Sequence, residues 1–350
     1  MPDVGSAPVI GVPRLVVVSI AVAMAVVTAS AAIAPPAPIK FATRAPTGSI
    51  WHKALGDLGS AWRKATDGRV AMVVFPDGSL GEESATVEKM RSGTIHAALL
   101  TANGLASIDR SFNVFTIPFF FENEEEELAV QRALTPTLEA TLADRGFHLL
   151  CWSAGGWIQL FSKKPLKTLA DVKASNLAVN KADTDLIQWY GRSGFHPHGL
   201  GGAEVASQLK LAAGAVDAAP STPYIALSTQ MFRSAGYMFD VRVAPLVGAA
   251  IMTTNTWLGI SATDRARLTE AAAVMEQAIR TKAPAQDAES IKAMTARGLH
   301  VYTPDAKSAA EFRTAAGELG VTMRGTVVPA ETYDAARRVI EEIRGRRKRL

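Results

Sequence analysis

From Ile39 to Leu100 the sequence switches repeatedly between the period of a strand and the period of a helix, and this alternation most limits the folds open to it. Ile39-Lys40-Phe41-Ala42-Thr43 alternates as a strand does. Arg44-Ala45-Pro46-Thr47-Gly48 is a loop, broken by Pro and Gly. Ser49 is a capping residue for a helix over Ile50 to Thr66, with Trp51, Leu55, Leu58 and Trp62 at helical spacing. Asp67-Gly68 stops it. Val70 to Phe75 reads as a strand, Pro76-Asp77-Gly78 as a turn, Glu82 to Arg91 as a short helix and Ile95 to Leu100 as a strand. Strands separated by helices need crossover connections, so the class is α/β with a parallel sheet.

The pattern continues. Ile117-Pro118-Phe119-Phe120-Phe121 is an apolar knot before an acidic helix over Asn123 to Asp144. Phe147 to Trp152 is a strand, and residues 154–162 look like a strand leaving a first lobe. A second alternating set follows: a short helix at Leu169 to Val172, a strand at Asn176 to Asn180, helices at Asp183 to Arg192 and Ala203 to Ala213, and a strand at Ala215 to Ala219. Gly248 to Thr254 returns as a strand that resumes the first sheet, and from Ala262 the chain is mainly helix.

Arg14 and the uncharged run Leu15 to Val27, about 13 residues long, have the form of a signal peptide. Such a run fits the roughly 7–15 residues of a signal h-region and falls short of the roughly 20 that span a bilayer. Ala29-Ser30-Ala31 fits the cleavage pattern, so residues 1–31 are expected to be removed on export. An uncleaved anchor is the alternative, because the apolar run continues weakly through Ile33. The remainder is long enough for two lobes with separate cores. The chain has a single cysteine, Cys151, so an intramolecular disulfide is excluded, and no Cys/His set has zinc spacing. The net charge is only +4, and much of the excess lies in Arg344-Gly345-Arg346-Arg347-Lys348-Arg349. That tail reads as a solvated, frayed terminus, and no nucleic-acid partner is expected.

These residues resemble a known family, the dicarboxylate-type solute-binding proteins of tripartite ATP-independent periplasmic (TRAP) transporters, from about residue 39 to about 280. The landmarks are Trp51-His52-Lys53-Ala54, Thr66-Asp67-Gly68-Arg69-Val70, Phe75-Pro76-Asp77-Gly78-Ser79-Leu80-Gly81, Arg91-Ser92-Gly93-Thr94-Ile95 and Ile117 to Phe121. Lys164-Pro165-Leu166, Leu169 to Lys173, Gly214 to Asp217 and Met252 to Trp257 follow in order. Each is weak alone, and their order and spacing are specific. The resemblance implies a type II-like, two-lobed periplasmic binding protein with discontinuous lobes joined by a hinge. Lobe I is expected over 39–157 plus 247–285, and lobe II over 158–246 plus 286–350. It implies a periplasmic, monomeric receptor without a cofactor that hands a small molecule to TRAP membrane permease subunits.

The resemblance also implies two arginines that grip a ligand carboxylate through paired hydrogen bonds. Their positions hold Ala178 and Ile158 here, and Ser221 stands where members often carry asparagine. A cleft without those arginines favours an apolar or large neutral ligand. Members lacking the arginine are thought to work beside a helical-repeat partner, which adds that partner to the expectation. Phe119, Trp152, Trp157 and Tyr224 are the expected aromatic lining, with Trp51 a weaker member. Arg44, Asn103, Asn180 and Lys181 are the polar candidates. A carboxylate ligand held by a relocated Arg44 or Lys181 is the alternative.

An enzyme on the same fold is the reading from a different class. No G-x-S-x-G elbow, P-loop or G-x-G-x-x-G follows a strand. His196-Pro197-His198 is the one metal-like spot, expected in a Gly/Pro-rich turn as surface histidines. The expectation is therefore a receptor that returns its ligand unchanged.

Overall fold

The computed structural model describes residues 37–211, 215–347 and 349. The signal segment therefore lies outside the described residues. No described helix is long and apolar enough to cross a membrane.

In chain order the first part runs β1 (Ile39–Thr43), α1 (Ile50–Ala65), β2 (Met72–Phe75), α2 (Glu83–Arg91), β3 (Ala97–Thr101) and α3 (Ala102–Ala106). A 3-10 turn over Arg110–Thr116 leads to α4 (Glu124–Asp144) and the long β4 (Phe147–Ser162). Then come α5 (Leu169–Ala174), β5 (Asn176–Asn180), α6 (Thr184–Arg192), β6 (His196–Leu200), α7 (Gly202–Lys210), β7 (Ala218–Ser221) and α8 (Pro223–Ser228). The second long strand, β8 (Tyr237–Thr253), precedes α9 (Thr254–Leu258), α10 (Ala262–Thr295), β9 (His300–Tyr302), α11 (Ala306–Val321) and α12 (Ala330–Arg347).

Local chemistry sets many of these boundaries. Ser49 Oγ accepts from the His52 N–H at the start of α1, as its position suggests. Asn123 caps α4, whose first turn holds Glu124, Glu125, Glu126 and Glu127 at the positive end of the helix dipole. Thr168 and Asp171 form a capping box at α5.

The strands join in the order β2-β1-β3-β8-β4-β7-β5-β6, with β9 beside β8. β1 pairs in parallel with β2 and β3, and β5 in parallel with β6 and β7. The antiparallel β4–β8 pair joins the two parallel sets and runs through both lobes. The two strands read separately at Phe147 to Trp152 and at 154–162 are one strand. β8 likewise begins well before Gly248. Their register shifts between Ala154 and Trp157, where Gly156 has φ +82°. Gly248 lies opposite on β8, and a Cβ there would stand 2.5 Å from the Leu100 carbonyl oxygen. Pro284 interrupts the hydrogen bonding of α10 near the same level.

Each lobe has two cores, one on each face of its part of the sheet. In the first, Ala98, Leu100, Leu149 and Ile251 face α4 and α12, while Phe41, Leu99, Ala250 and Met252 face α1 and α10. In the second, Leu160, Leu177, Val179 and Phe239 pack on Phe312 of α11, and Phe161, Ala178 and Ala219 pack on Leu209 of α7 and Met294 of α10.

Two local expectations are corrected. His196-Pro197-His198 is not a turn but most of β6, which among the described strands pairs only with β5. A proline fits there because an edge strand need not donate on its free side. His198 Nε2 lies 3.2 Å from Asn176 Oδ1, and no group of three or more candidate metal ligands exists among the described residues.

The basic tail is the other. Residues 286–350 were read as second-lobe chain ending in a frayed terminus, but α12 packs on α4 of the first lobe. Arg344 Nη2 is 2.9 Å from Glu126 Oε2, and Arg347 reaches Glu125 at 2.5 Å. Glu126 is fully buried, so these arginines compensate a charge that water cannot reach. Arg344→Ala should lower the unfolding free energy by about 2 kcal/mol in urea titration, since Arg347 remains as a partial partner.

Candidate functional site

The sequence-identified residues divide into those that meet between the lobes and those that do not. Trp152 does not. It is 5 % exposed, its Nε1 donates to Thr135 Oγ1 at 3.0 Å, and it packs on Phe112 and Phe115 of the first core. Phe119 also lies in a core. Its ring meets Phe312 edge-on at 4.9 Å, inside the second lobe. The segment bends to place it there: Phe119 adopts φ +59°, and its N–H donates to Val243 O at 2.6 Å. A left-handed phenylalanine is strained and is held by this packing. Ala178 is 3 % exposed among Phe161, Leu209 and Ala219. Ile158 packs against the α11 side of the second lobe, and Ser221 is buried at the end of β7 with its Oγ donating to Thr222 O.

Three groups of residues do meet across the boundary. The first surrounds the turn before α7. Arg44, just past β1, pairs with Glu82 at 2.7 Å. Its guanidinium lies against Gly202, where a Cβ would collide with it. Lys181, just past β5, pairs with Glu204 at 3.2 Å and also lies beside Gly201. Glu204 Oε2 accepts from the Gly201 N–H at 2.6 Å, which is one half of a capping box. That N–H and then Lys181 hold the Glu204 carboxyl below its usual range. Asn180 closes this turn by accepting from the Ala182 N–H.

The second group joins Asn103 on α3 to Asp183, which precedes α6, by an amide-to-carboxylate hydrogen bond. Behind Asn103, the buried Glu83 accepts from the Thr101 N–H at 2.7 Å and from Thr101 Oγ1 at 2.6 Å. Burial pushes the Glu83 carboxyl up, against the lowering effect of these bonds. Asp183 is pushed up to about 6, first by burial; the Asn103 bond opposes this and the facing Glu83 adds to it. Beside them Arg110 pairs with Asp185 at 3.0 Å, again from one lobe to the other.

The third group is aromatic. Trp51 of α1 and Tyr224 of α8 have ring centroids 5.4 Å apart, and Trp51 Nε1 donates to Ala154 O. Asp287 of α10 accepts from the Tyr224 N–H at 3.2 Å and presses against Gly156, so a side chain there would collide with it. Burial raises the Asp287 carboxyl to about 6, opposed by backbone bonds from Tyr224 and Trp157. Trp157 is half-buried beneath the Arg242 guanidinium, 5.2 Å from its ring centre.

The carboxylates of this boundary were missed as a set. Glu82, Glu83, Asp183 and Asp287 carry no local motif. Only Gly201-Gly202 followed by Glu204 left a sequence signal, as a glycine helix start with Glu at its third position. A separate groove of about 290 Å³ lies between α1 and α10, lined mainly by apolar residues such as Leu58, Val274 and Met275. Few polar groups converge there to fix a ligand's orientation, unlike at the lobe boundary.

Two α/β lobes built on a shared strand pair, meeting across a charged boundary, are the architecture of a solute-binding receptor. The chain matches the DctP description, bacterial extracellular solute-binding protein, family 7, over residues 41–322, and it belongs to that family. It is 27% identical over 210 residues to the uncharacterized protein YiiZ of Salmonella typhimurium. It is 26% identical over 137 residues to the 2,3-diketo-L-gulonate-binding periplasmic protein YiaO of Escherichia coli. These matches cover 58% and 39% of this chain, and 62% and 42% of those relatives, less than two thirds of either. A solved TRAP periplasmic solute binding protein from Pseudomonas putida, with bound D-glucuronate, has the same fold at TM-score 0.78 and 22% identity, covering 87% of this chain and 96% of that one.

Gly202→Ala should test the first group without harming the fold. The added methyl meets the far end of a flexible side chain, so the unfolding free energy should change by less than about 0.5 kcal/mol. Arg44 must move, so the lobes should open, which scattering would record as a larger radius of gyration.

Proposed function

We propose that this chain is an exported periplasmic receptor that closes its lobes over a small, polar, carboxylate-bearing solute and delivers it to TRAP membrane permease subunits. One observation carries the ligand class. Arg44 from the first lobe and Lys181 from the second converge on Gly201–Gly202, and each is held by a carboxylate of its own chain. Glu82 and Glu204 are both partly exposed, so a solute carboxylate can take their place without unburying a core. Arg44 offers the planar fork that accepts a carboxylate through two parallel hydrogen bonds.

The apolar occupant expected from Ala178 and Ile158 has little support. Both side chains pack into the second lobe, and the boundary between the lobes is rich in paired charges. A sugar acid suits that polarity, and it is the class of solute in the relative's name and in the similar fold. We place the lobe boundary at Ala154–Trp157 of β4 and Pro245–Gly248 of β8, near the Pro284 level of α10, with α12 added to the first lobe. Closure would then bend the chain at these points.

The test is a thermal-shift panel of D-glucuronate, 2-oxo sugar acids, C4-dicarboxylates, fatty acids and aromatic compounds. A sugar acid at a hundred times its dissociation constant should stabilise the protein by about 2.7 kcal/mol. Arg44→Ala and Lys181→Ala should each weaken it by about tenfold or more, the loss of a charge-assisted hydrogen bond. Stabilisation by fatty acids or aromatics alone would overturn the carboxylate reading. Mass spectrometry of the recovered solute should show it chemically unchanged, whereas conversion would point to an enzyme.

A further inference from the structure

The Arg110–Asp185 contact across the lobe boundary pairs a cation with an anion. The Asn103–Asp183 contact does not. Asp183 follows β5 of the second lobe, where its N–H donates to Asn180 O and its carbonyl accepts from Ile187. Its side chain crosses to Asn103 of the first lobe, which offers a neutral amide. The wall behind Asn103 is rigid. Glu83 has both oxygens bound to Thr101, and a Cβ on Gly104 would stand 2.8 Å from its carboxyl, so glycine is needed there.

The charged groups around Asp183 leave it without a counter-ion. From α2 the facing group is Glu83, another carboxylate. On its own lobe Lys181 is committed to Glu204, and Asp185 to Arg110. Bringing the lobes together therefore takes the Asp183 carboxylate out of water toward an amide and a second carboxylate. Burial without a cation disfavours the charged form.

We propose that the Asn103–Asp183 contact is a proton-sensitive clasp, which couples lobe closure to uptake of one proton at Asp183 and so tightens solute capture in mildly acidic surroundings. A protonated Asp183 keeps a carbonyl oxygen to accept the Asn103 N–H, so the clasp survives the loss of charge. The closed form holds the Asp183 carboxyl at about 6, against 3.8 for an ordinary aspartate in water. A raised value means that the proton binds the closed form more tightly. The gain is fully present below the ordinary value and is lost as pH rises through about 6. Between pH 7 and pH 5 the closed-to-open ratio should rise about tenfold.

The proposal rests on the two-lobed receptor reading but not on the identity of its solute, and its test contains no solute. The mature full-length chain would carry a dye pair at Ser79→Cys and Lys210→Cys, both exposed and on opposite lobes, while the buried Cys151 stays unlabelled. Single-molecule energy transfer then reads the closed fraction from pH 7 to pH 5. Wild type should show the tenfold rise, and Asp183→Asn, a neutral isostere, should be flat across the range. Asn103→Ala should lower the closed fraction at every pH, and it serves if the Asp183 variant folds poorly. A flat wild-type profile, or a wild-type slope that persists in Asp183→Asn, would overturn the clasp. Binding of D-glucuronate can fail in the separate panel without altering this result.

Discussion

β4 and β8 are the constraint on which the rest of the structure depends. They are 16 and 17 residues long and are paired almost end to end, so each lobe is assembled on one end of the same ribbon. A ribbon shared in this way cannot let the lobes move as separate bodies unless its hydrogen bonding is interrupted. Of the three register shifts between these strands, the middle one lies between Ala154 and Trp157, with Gly156 in the left-handed region and Gly248 packed against the Leu100 carbonyl. Asp287 sits against this point and ties α10 to α8. The bulge, the two glycines and the interrupted helix thus occupy one level of the molecule.

Three cations at the boundary between the lobes are paired within the chain, whereas among the described residues the Asp183 and Asp287 carboxyls have hydrogen-bond donors but no cation. Arg44, Lys181 and Arg110 each have a carboxylate of the chain beside them. Such an arrangement lowers the cost of bringing charges together in the closed form and leaves them exchangeable, because most of these side chains keep substantial solvent contact. A solute that takes over one of these pairs replaces an existing interaction, so discrimination depends on how well its geometry matches the guanidinium and ammonium it meets. The Asn103–Asp183 contact has only an amide as partner, which is why burial moves its carboxyl so far.

Much of the fold was legible because period and punctuation are local. The helix at Ile50, its Ser49 cap and the buried face Trp51, Leu55, Leu58 and Trp62 follow from spacing alone. The acidic helix after Ile117 to Phe121 and the early parallel strands were legible for the same reason. The site was less so. Arg44, Asn103, Lys181 and Tyr224 meet between the lobes as loop ends of a parallel sheet tend to. Trp152 and Phe119 looked alike in sequence to Trp157 and Tyr224, yet they fill cores, because the side a strand or turn presents depends on bulges and on the left-handed φ of one residue. His196-Pro197-His198 was misread because proline marks both turns and edge strands.

The sequence by itself determined the α/β class, the order of the elements from Ile39 to Leu100, the exclusion of an intramolecular disulfide and the family, since all of these depend on residue types at short or fixed spacing. Only the tertiary structure decided what each of these charges faces. Arg44 meets Glu82, Asp183 meets Asn103, Arg344 meets Glu126, and Asp287 meets Gly156, across separations of 38 to 218 residues. Burial and Coulomb energy depend on distance in space, and strand order, register and bulge position set that distance. A one-residue change in register would turn each strand's side chains to the opposite face, so the partners of a charge are a property of the assembled sheet.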